Sequence, residues 1–177
     1  MIEFVLGYPD SGKSERAEND ALKLADGAKT YYVATMVPYG EQGAKRVEKH
    51  REARRGKGFV TVERPFDLPG LAETLRDLAD ATCLIECVSN LVGNEERRPD
   101  RDATAPDLLA RQIADSILAF ADLCANAVIV GNAFPGDAPG YDPETRRYVA
   151  LNNAVNDLLK TRVDRVLEIK KEGTAKK

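Results

Sequence analysis

The first fourteen residues restrict the fold of this chain more than any other stretch. An apolar, β-prone run, Ile2-Glu3-Phe4-Val5-Leu6, leads into Gly7-Tyr8-Pro9-Asp10-Ser11-Gly12-Lys13-Ser14, which fits the pattern G-x-x-x-x-G-K-[ST]. Glycines let the backbone curl so that successive N–H groups point inward at phosphate oxygens. Lys13 is placed to reach β/γ-phosphates, and Ser14 to hold Mg²⁺ through its hydroxyl. A chance turn rich in Gly and Ser would need neither a strand before it nor a helix after it. Here both are present, the helix marked by Ala17, Ala21, Leu24 and Ala25 and aimed N-terminus first at the anion. The segment predicts a nucleotide site and leaves open what is done with the nucleotide.

The rest of the chain repeats the same alternation. Apolar, β-prone segments fall at Ile2–Leu6, Thr30–Thr35, Phe59–Glu63, Thr82–Val88, Ala127–Asn132 and Asp164–Ile169. Helical patterns lie between most of them, at Lys13–Ala25, Glu41–Arg55, Leu68–Asp80, Pro106–Ala125 and Glu144–Arg162. Strand and helix in alternation predict an α/β, three-layer, P-loop NTPase-like fold, with a mostly parallel sheet covered by helices on both faces. Ligands of such sheets bind beyond the carboxyl ends of the strands, where Gly7–Ser14 falls. Residues 1–169 read as one nucleotide-binding domain and 170–177 as a flexible basic tail. Asn94–Ala105 is highly charged and reads as an exposed, mobile connector or lid, and Ala133–Pro143, rich in Pro and Gly, as a loop.

Composition removes several function classes. The 177 residues, 43% hydrophobic, suit one compact domain that needs no disulfide or structural metal. A net charge of −3 argues against broad nucleic-acid affinity, which draws on a basic surplus. No run approaches membrane-spanning length and none resembles a signal peptide, so a cytoplasmic protein is expected. The cysteines Cys83, Cys87 and Cys124 form no C-x-x-C pair. The even spacing of Cys83 and Cys87 places both on one strand face, and small buried hydrophobes explain them better than a redox or metal site.

Two further features carry chemistry. Thr82-Cys83-Leu84-Ile85-Glu86 is an apolar strand ending in a carboxylate, and beside a phosphate loop such an acid holds Mg²⁺ directly or through water. The other strong strand, Ala127–Asn132, ends without an acid. The only histidine, His50, lies in a helical pattern with Arg46 at i−4 and Arg54 at i+4, flanked by Lys49 and Arg51. Nearby positive charge disfavours imidazolium and keeps a ring lone pair available. The arginines suit phosphate oxygens and the charge at a pentavalent phosphorus, and an imidazole beside a triphosphate is a nucleophile for phosphoramidate chemistry. A solvated charged helix with an incidental histidine has the same residue types.

Taken together, these pieces resemble the bifunctional adenosylcobinamide kinase / adenosylcobinamide-phosphate guanylyltransferase family of cobalamin biosynthesis. The matching pieces are Gly7–Ser14, Tyr32-Val33-Ala34-Thr35, Glu41, Arg46-Val47-Glu48-Lys49-His50-Arg51, Thr61-Val62-Glu63-Arg64-Pro65 and Leu84-Ile85-Glu86-Cys87-Val88-Ser89. Asn94 and Val155-Asn156 fit less distinctively. The resemblance implies that ATP or GTP phosphorylates adenosylcobinamide, and that GMP then passes from GTP to the corrinoid phosphate through a guanylylated histidine, here His50. It also implies a homotrimer with sites near subunit boundaries. By the same match the nucleotide site comprises Gly7, Tyr8, Pro9, Asp10, Ser11, Gly12, Lys13, Ser14, Ala34, Thr35, Met36, Arg51, Glu52, Ala53, Arg54, Glu63 and Glu86. Arg46, Arg51 and Arg54 are candidates for charge stabilisation, and Ser14 and Glu86 for the metal.

The chain departs from the family pattern after its fifth strand. Asn132-Ala133-Phe134-Pro135-Gly136 stands where the family has Asn-Glu-Val-Gly, and the next segment is shortened, with Pro143, Glu144 and Arg146 or Arg147 as counterparts. A diverged P-loop kinase with another acceptor, or a nucleotide-binding regulatory module without catalysis, are the alternatives that this divergence keeps open.

Overall fold

The structure is a computed structural model; it describes residues 1–38, 40–136 and 138–170, and within those the side chains of Arg46 and Ala53 are not described. The basic tail expected over 170–177 therefore lies, but for Lys170, outside the described residues.

Six parallel strands form one sheet, β1 (Ile2–Gly7), β2 (Thr30–Ala34), β3 (Phe59–Glu63), β4 (Thr82–Glu86), β5 (Asn126–Asn132) and β6 (Arg165–Ile169). They run in the order β3-β2-β4-β5-β1-β6, and every pairing is parallel. Because strand side chains alternate, each central strand feeds two cores. Phe4, Leu6, Tyr31, Val33, Cys83, Ile85 and Ile129 face one side. Val5, Tyr32, Leu84, Val128 and Val130 face the other. Continuous burial of β4 follows, each large aliphatic contributing about 1.5–3 kcal/mol.

The helices are α1 (Lys13–Ala25), α2 (Gly40–Arg54), α3 (Leu68–Ala72), α4 (Val88–Glu96), α5 (Pro106–Ala121) and α6 (Pro143–Lys160). Ala17 and Ala21 set α1 against β4 and β5, so the second core is thin and alanine-lined. α3, α4, α5 and α6 cover the other face, α5 packing on α6 through Ile113, Ile117, Val155 and Leu159. α2 is different. Among its described residues only Arg54 is buried.

Several expected boundaries change. The helix expected over Leu68–Asp80 is the short α3 followed by a 3-10 turn at Leu78–Asp80. Thr74 Oγ1 donates to Leu71 O at 2.8 Å, a local bond that competes with helix continuation. Asp77 is drawn away to Lys29 Nζ and Tyr31 OH. The strand expected to reach Val88 stops at Glu86, and Val88 opens α4, a helix absent from the sequence reading. Cys83 and Cys87 consequently do not share a face: each packs in a different core. Asn94–Ala105 is not an exposed mobile connector throughout. Asn94 Nδ2 donates to Thr35 O and Pro65 O, both at 2.8 Å. The carboxylate of Glu95 is buried, accepting from Asp67 N and Arg98 Nη1. No helix among the described residues is long and apolar enough to cross a membrane.

One buried carboxyl underlies α1. Glu3 is 1% exposed, and neither carboxyl oxygen has a hydrogen-bond partner among the described residues, although Arg165 Nη1 lies 3.1 Å from Oε2. Burial first, then Asp20, raises its pKa above the ordinary range. A carboxyl raised on folding holds its proton in the native state at a pH where the unfolded chain has lost it, so stability falls as pH climbs from about 4.3 through the native value. Glu3→Gln should therefore be more stable than the parent at pH 7 and lose that gain at pH 3. Urea titrations at both pH values check this; an unchanged or reversed difference would refute the assignment.

Candidate active site

The phosphate loop leaves β1 at Gly7, whose backbone passes so close to the loop that an added Cβ would meet Ser11 Oγ at 2.6 Å. The chain turns through Asp10 (φ 59°) and Gly12 (φ 81°), the latter capping α1 in the left-handed region that glycine adopts without cost. Lys13 and Ser14 then open α1. Lys13 is 7% exposed, and its Nζ donates to Tyr8 O at 3.1 Å. Burial pulls its ammonium below the usual lysine range, against the opposing pull of Cys87, Glu86 and Asp10.

Ser14 Oγ donates to Glu86 Oε1 at 2.5 Å, so the hydroxyl and the strand-terminal acid meet across 72 residues of sequence. The second oxygen of Glu86 accepts from Tyr32 OH at 2.8 Å. Burial, then Glu86, pushes the Tyr32 phenol far above its ordinary pKa, which fixes it as a donor. Two hard oxygens from a hydroxyl and a carboxylate side by side are donors that suit Mg²⁺.

α2 lies beside this cleft and is held by charged groups near its C-terminal end. Arg51 pairs with Glu63 at the end of β3. The Arg54 guanidinium sits over the Tyr32 ring, Cζ 3.7 Å from its centroid. Just past the helix, Lys57 Nζ reaches Glu18 Oε2 on α1 at 2.5 Å. The resulting cleft has a volume of about 1120 Å³.

Pro9–Ser14, Ala34, Met36, His50, Arg51, Arg54, Glu63 and Glu86 all line it. Gly7 and Tyr8 lie at the base of the loop, Tyr8 contributing its carbonyl. Two expected residues are elsewhere: Thr35 is fully buried with Oγ1 donating to Cys87 O at 2.9 Å, and Glu52 is exposed and paired with Arg55. The expectations for the side chains of Arg46 and Ala53 lie outside the described residues. Tyr32, Glu18, Lys57, Asn90 and Asn132 line the cleft without having been singled out as site residues. For Tyr32 a signal existed: alternation along Tyr31-Tyr32-Val33 places it on the face of Ala34. Asn132 donates to Ser89 Oγ at 2.6 Å, and its carbonyl accepts from Asn152 and Asn156. Its neighbour Ala133, where the family carries an acid, donates its N–H to Gly7 O.

A family model described as cobinamide kinase / cobinamide phosphate guanyltransferase matches residues 3–174. The chain belongs to this family. It is 32% identical over 155 residues to the bifunctional adenosylcobalamin biosynthesis protein CobU of Escherichia coli (strain K12), covering 82% of this chain and 81% of that one. Among solved structures it is similar to a KaiC-like protein of the hyperthermophilic archaeon Pyrococcus horikoshii OT3, with a TM-score of 0.54 at 12% identity over 99% of this chain and 74% of that one. That likeness concerns the fold alone, and it fits the P-loop architecture expected from the first fourteen residues. For this cobinamide kinase / guanyltransferase family member, Lys13→Ala should weaken GTP binding by roughly tenfold to a hundredfold, the worth of one hydrogen bond to a charged group. Calorimetric titration with GTP measures this; unaltered affinity would remove Lys13 from the phosphate site.

Proposed function

We propose that this one cleft serves both reactions of an adenosylcobinamide kinase / adenosylcobinamide-phosphate guanylyltransferase, with His50 as the nucleophile of the second. The observation that carries the reading is that His50 and the phosphate loop line the same cleft. The volume exceeds that of ordinary small-ligand pockets, roughly 300–1,000 Å³, which leaves room for a nucleotide and the reacting end of an acceptor.

The loop amides and Lys13 hold the triphosphate, and Ser14 and Glu86 would hold Mg²⁺, which would neutralise phosphate charge. A ring nitrogen of His50 attacks the α-phosphorus of GTP. The N–P bond forms as the bond from that phosphorus to its bridging oxygen breaks, and pyrophosphate departs with the electron pair. The ring proton passes to solvent. A phosphate oxygen of the corrinoid then attacks the same phosphorus, the N–P bond breaks with its electron pair returning to the ring nitrogen, and the ring takes a proton back from solvent to regenerate the imidazole. Arg51 and Arg54, with Arg46 from the sequence reading, balance charge at the transition state. In the kinase half, the aminopropanol hydroxyl of adenosylcobinamide attacks the γ-phosphorus of ATP or GTP on the same loop; the bond from that phosphorus to its bridging oxygen breaks, the nucleoside diphosphate leaves with the electron pair, and the hydroxyl proton passes to solvent.

We assign the reaction to the cytoplasm, where its nucleotide substrates are made, and the assembly to a homotrimer with sites near subunit boundaries. The exposed edge strand β3, with Val60 45% exposed, and the sparsely packed α2 support the assembly. Sedimentation equilibrium at micromolar concentration is expected to return the mass of three chains; a single-chain mass would reject it.

The guanylyl step is tested with Mg²⁺ and GTP labelled at the α-phosphate. The denatured protein is expected to retain an acid-labile, alkali-stable label, and His50→Ala to lose it. Absence of label under conditions where GTP demonstrably binds would sink the guanylyltransferase reading. Corrinoid-dependent turnover of ATP or GTP tests the kinase half separately; a regulatory module would bind nucleotide and show neither activity.

A further inference from the structure

The buried face of β2 carries one side chain that touches both halves of the site. Tyr32 is 2% exposed, and its ring has two polar neighbours at opposite ends of its chemistry. Its hydroxyl donates to Glu86 Oε2, the oxygen not taken by Ser14. Its face carries the Arg54 guanidinium at 3.7 Å, well within the distance at which a cation is attracted to an aromatic ring. Arg54 is 7% exposed, and its Nε has no hydrogen-bond partner among the described residues. It stands one helical turn beyond His50 on the same face of α2.

We propose that Tyr32 is a positioning residue, which fixes the metal-holding carboxylate of Glu86 with its hydroxyl and seats the His50 helix through Arg54 with its ring. The inference rests on the reading of Glu86 as a metal-holding acid. A carboxylate free to rotate would offer either oxygen to Ser14 or to a cation. One fixed by a buried phenol offers a single orientation, the phenol donating to Oε2 at 2.8 Å while Ser14 takes Oε1. The same ring anchors the one buried described residue of α2, a helix with otherwise charged and exposed surface. The ring itself needs to touch neither the transferred phosphorus nor the acceptor. Its effect passes through Glu86 and Arg54. Phe59 packs edge-on to the ring from β3, with centroids 5.9 Å apart, and sets its tilt.

Two substitutions separate the two contacts. Tyr32→Phe removes the hydroxyl and keeps the ring; Tyr32→Leu removes both. The first measurement is the Mg²⁺ concentration that half-saturates binding of the α,β-methylene analogue of GTP, which cannot release pyrophosphate, followed by calorimetry. The second is the rate of acid-labile guanylyl label at saturating Mg²⁺. Tyr32→Phe is expected to raise the Mg²⁺ midpoint about tenfold, and Glu86→Gln to raise it at least as far. The double variant should be no worse than Glu86→Gln alone, because both act through one carboxylate. Tyr32→Leu should add a further loss of about three- to thirtyfold in labelling rate, the worth of a desolvated cation–π contact. A merely structural tyrosine would lower the melting temperature in both variants and leave the Mg²⁺ midpoint where it was. That result, alongside a shifted midpoint in Glu86→Gln, overturns the positioning role and leaves the metal reading standing. An unmoved midpoint in Glu86→Gln overturns the metal reading and the positioning role with it.

Discussion

The contact between Ser14 and Glu86 is the one on which the rest of the site depends. Parallel pairing makes it available. Gly7 stands level with Asn132 on β5, and Glu86 is level with Val130, two positions behind. The acid therefore sits below the rim from which the phosphate loop departs, under the first turn of α1, and Ser14 comes down onto it as the second residue of that helix. All strands deliver their carboxyl ends to one rim, so residues 72 positions apart in sequence share a hydrogen bond of 2.5 Å.

The consequences spread outward from that carboxylate. Glu86 accepts from the Tyr32 hydroxyl, the Tyr32 ring lies under Arg54, and Arg54 is the buried end of α2. α2 itself has no apolar stripe with which to dock. Its sequence, Gly-Glu-Gln-Gly-Ala-Lys-Arg-Val-Glu-Lys-His-Arg-Glu-Ala-Arg, has a single large aliphatic residue, Val47. Hydrophobic burial cannot set the angle of such a helix. Charged contacts do so instead, from Arg51 to Glu63 and from Lys57 to Glu18, and those are screened by salt where they are exposed. If His50 carries the transferred group as proposed, α2 would gain from such an attachment, because it could adjust to the charge of the triphosphate without breaking a core.

The strand–loop–helix unit, the alternation and all six strand positions, five of them to within a residue at each end, could be read from sequence, because each rests on a local period or a glycine requirement. The failures share a cause as well. Val88–Glu96 continues an apolar run from the strand and contains Ser89, Asn90, Gly93 and Asn94, all weak helix formers, so neither period nor propensity marks a helix start. Its stability comes from partners far along the chain: Tyr148 OH bonds Ser89 O, Asn132 bonds Ser89 Oγ, and Asn94 clamps the ends of β2 and β3. Glu95 reads as a solvent charge in sequence and is buried by Asp67, Arg98 and Arg101. Thr35 reads as a ligand contact in the family pattern and is fully buried, bonded to the Cys87 carbonyl. In each case a tertiary partner decides the outcome.

A division of labour follows for the two half-reactions. On the proposed assignment a loop of amides with Lys13 would fix the outer phosphates, which would align the γ-phosphorus for direct transfer. Attack at the α-phosphorus needs a nucleophile that approaches from outside that cradle, because the loop's own groups would be turned to the outer phosphates and the metal. As the proposed nucleophile, His50 would meet the requirement because it belongs to a different element, one fastened to the cleft mainly through charged groups and a guanidinium on a phenol ring. The outer phosphates can then remain where the loop holds them while the choice of phosphorus is made by what approaches. On the proposed assignment the same loop would serve a kinase step, in which the acceptor hydroxyl arrives, and a guanylyl step, in which the imidazole arrives. The placement of α2, rather than the loop, is what separates them.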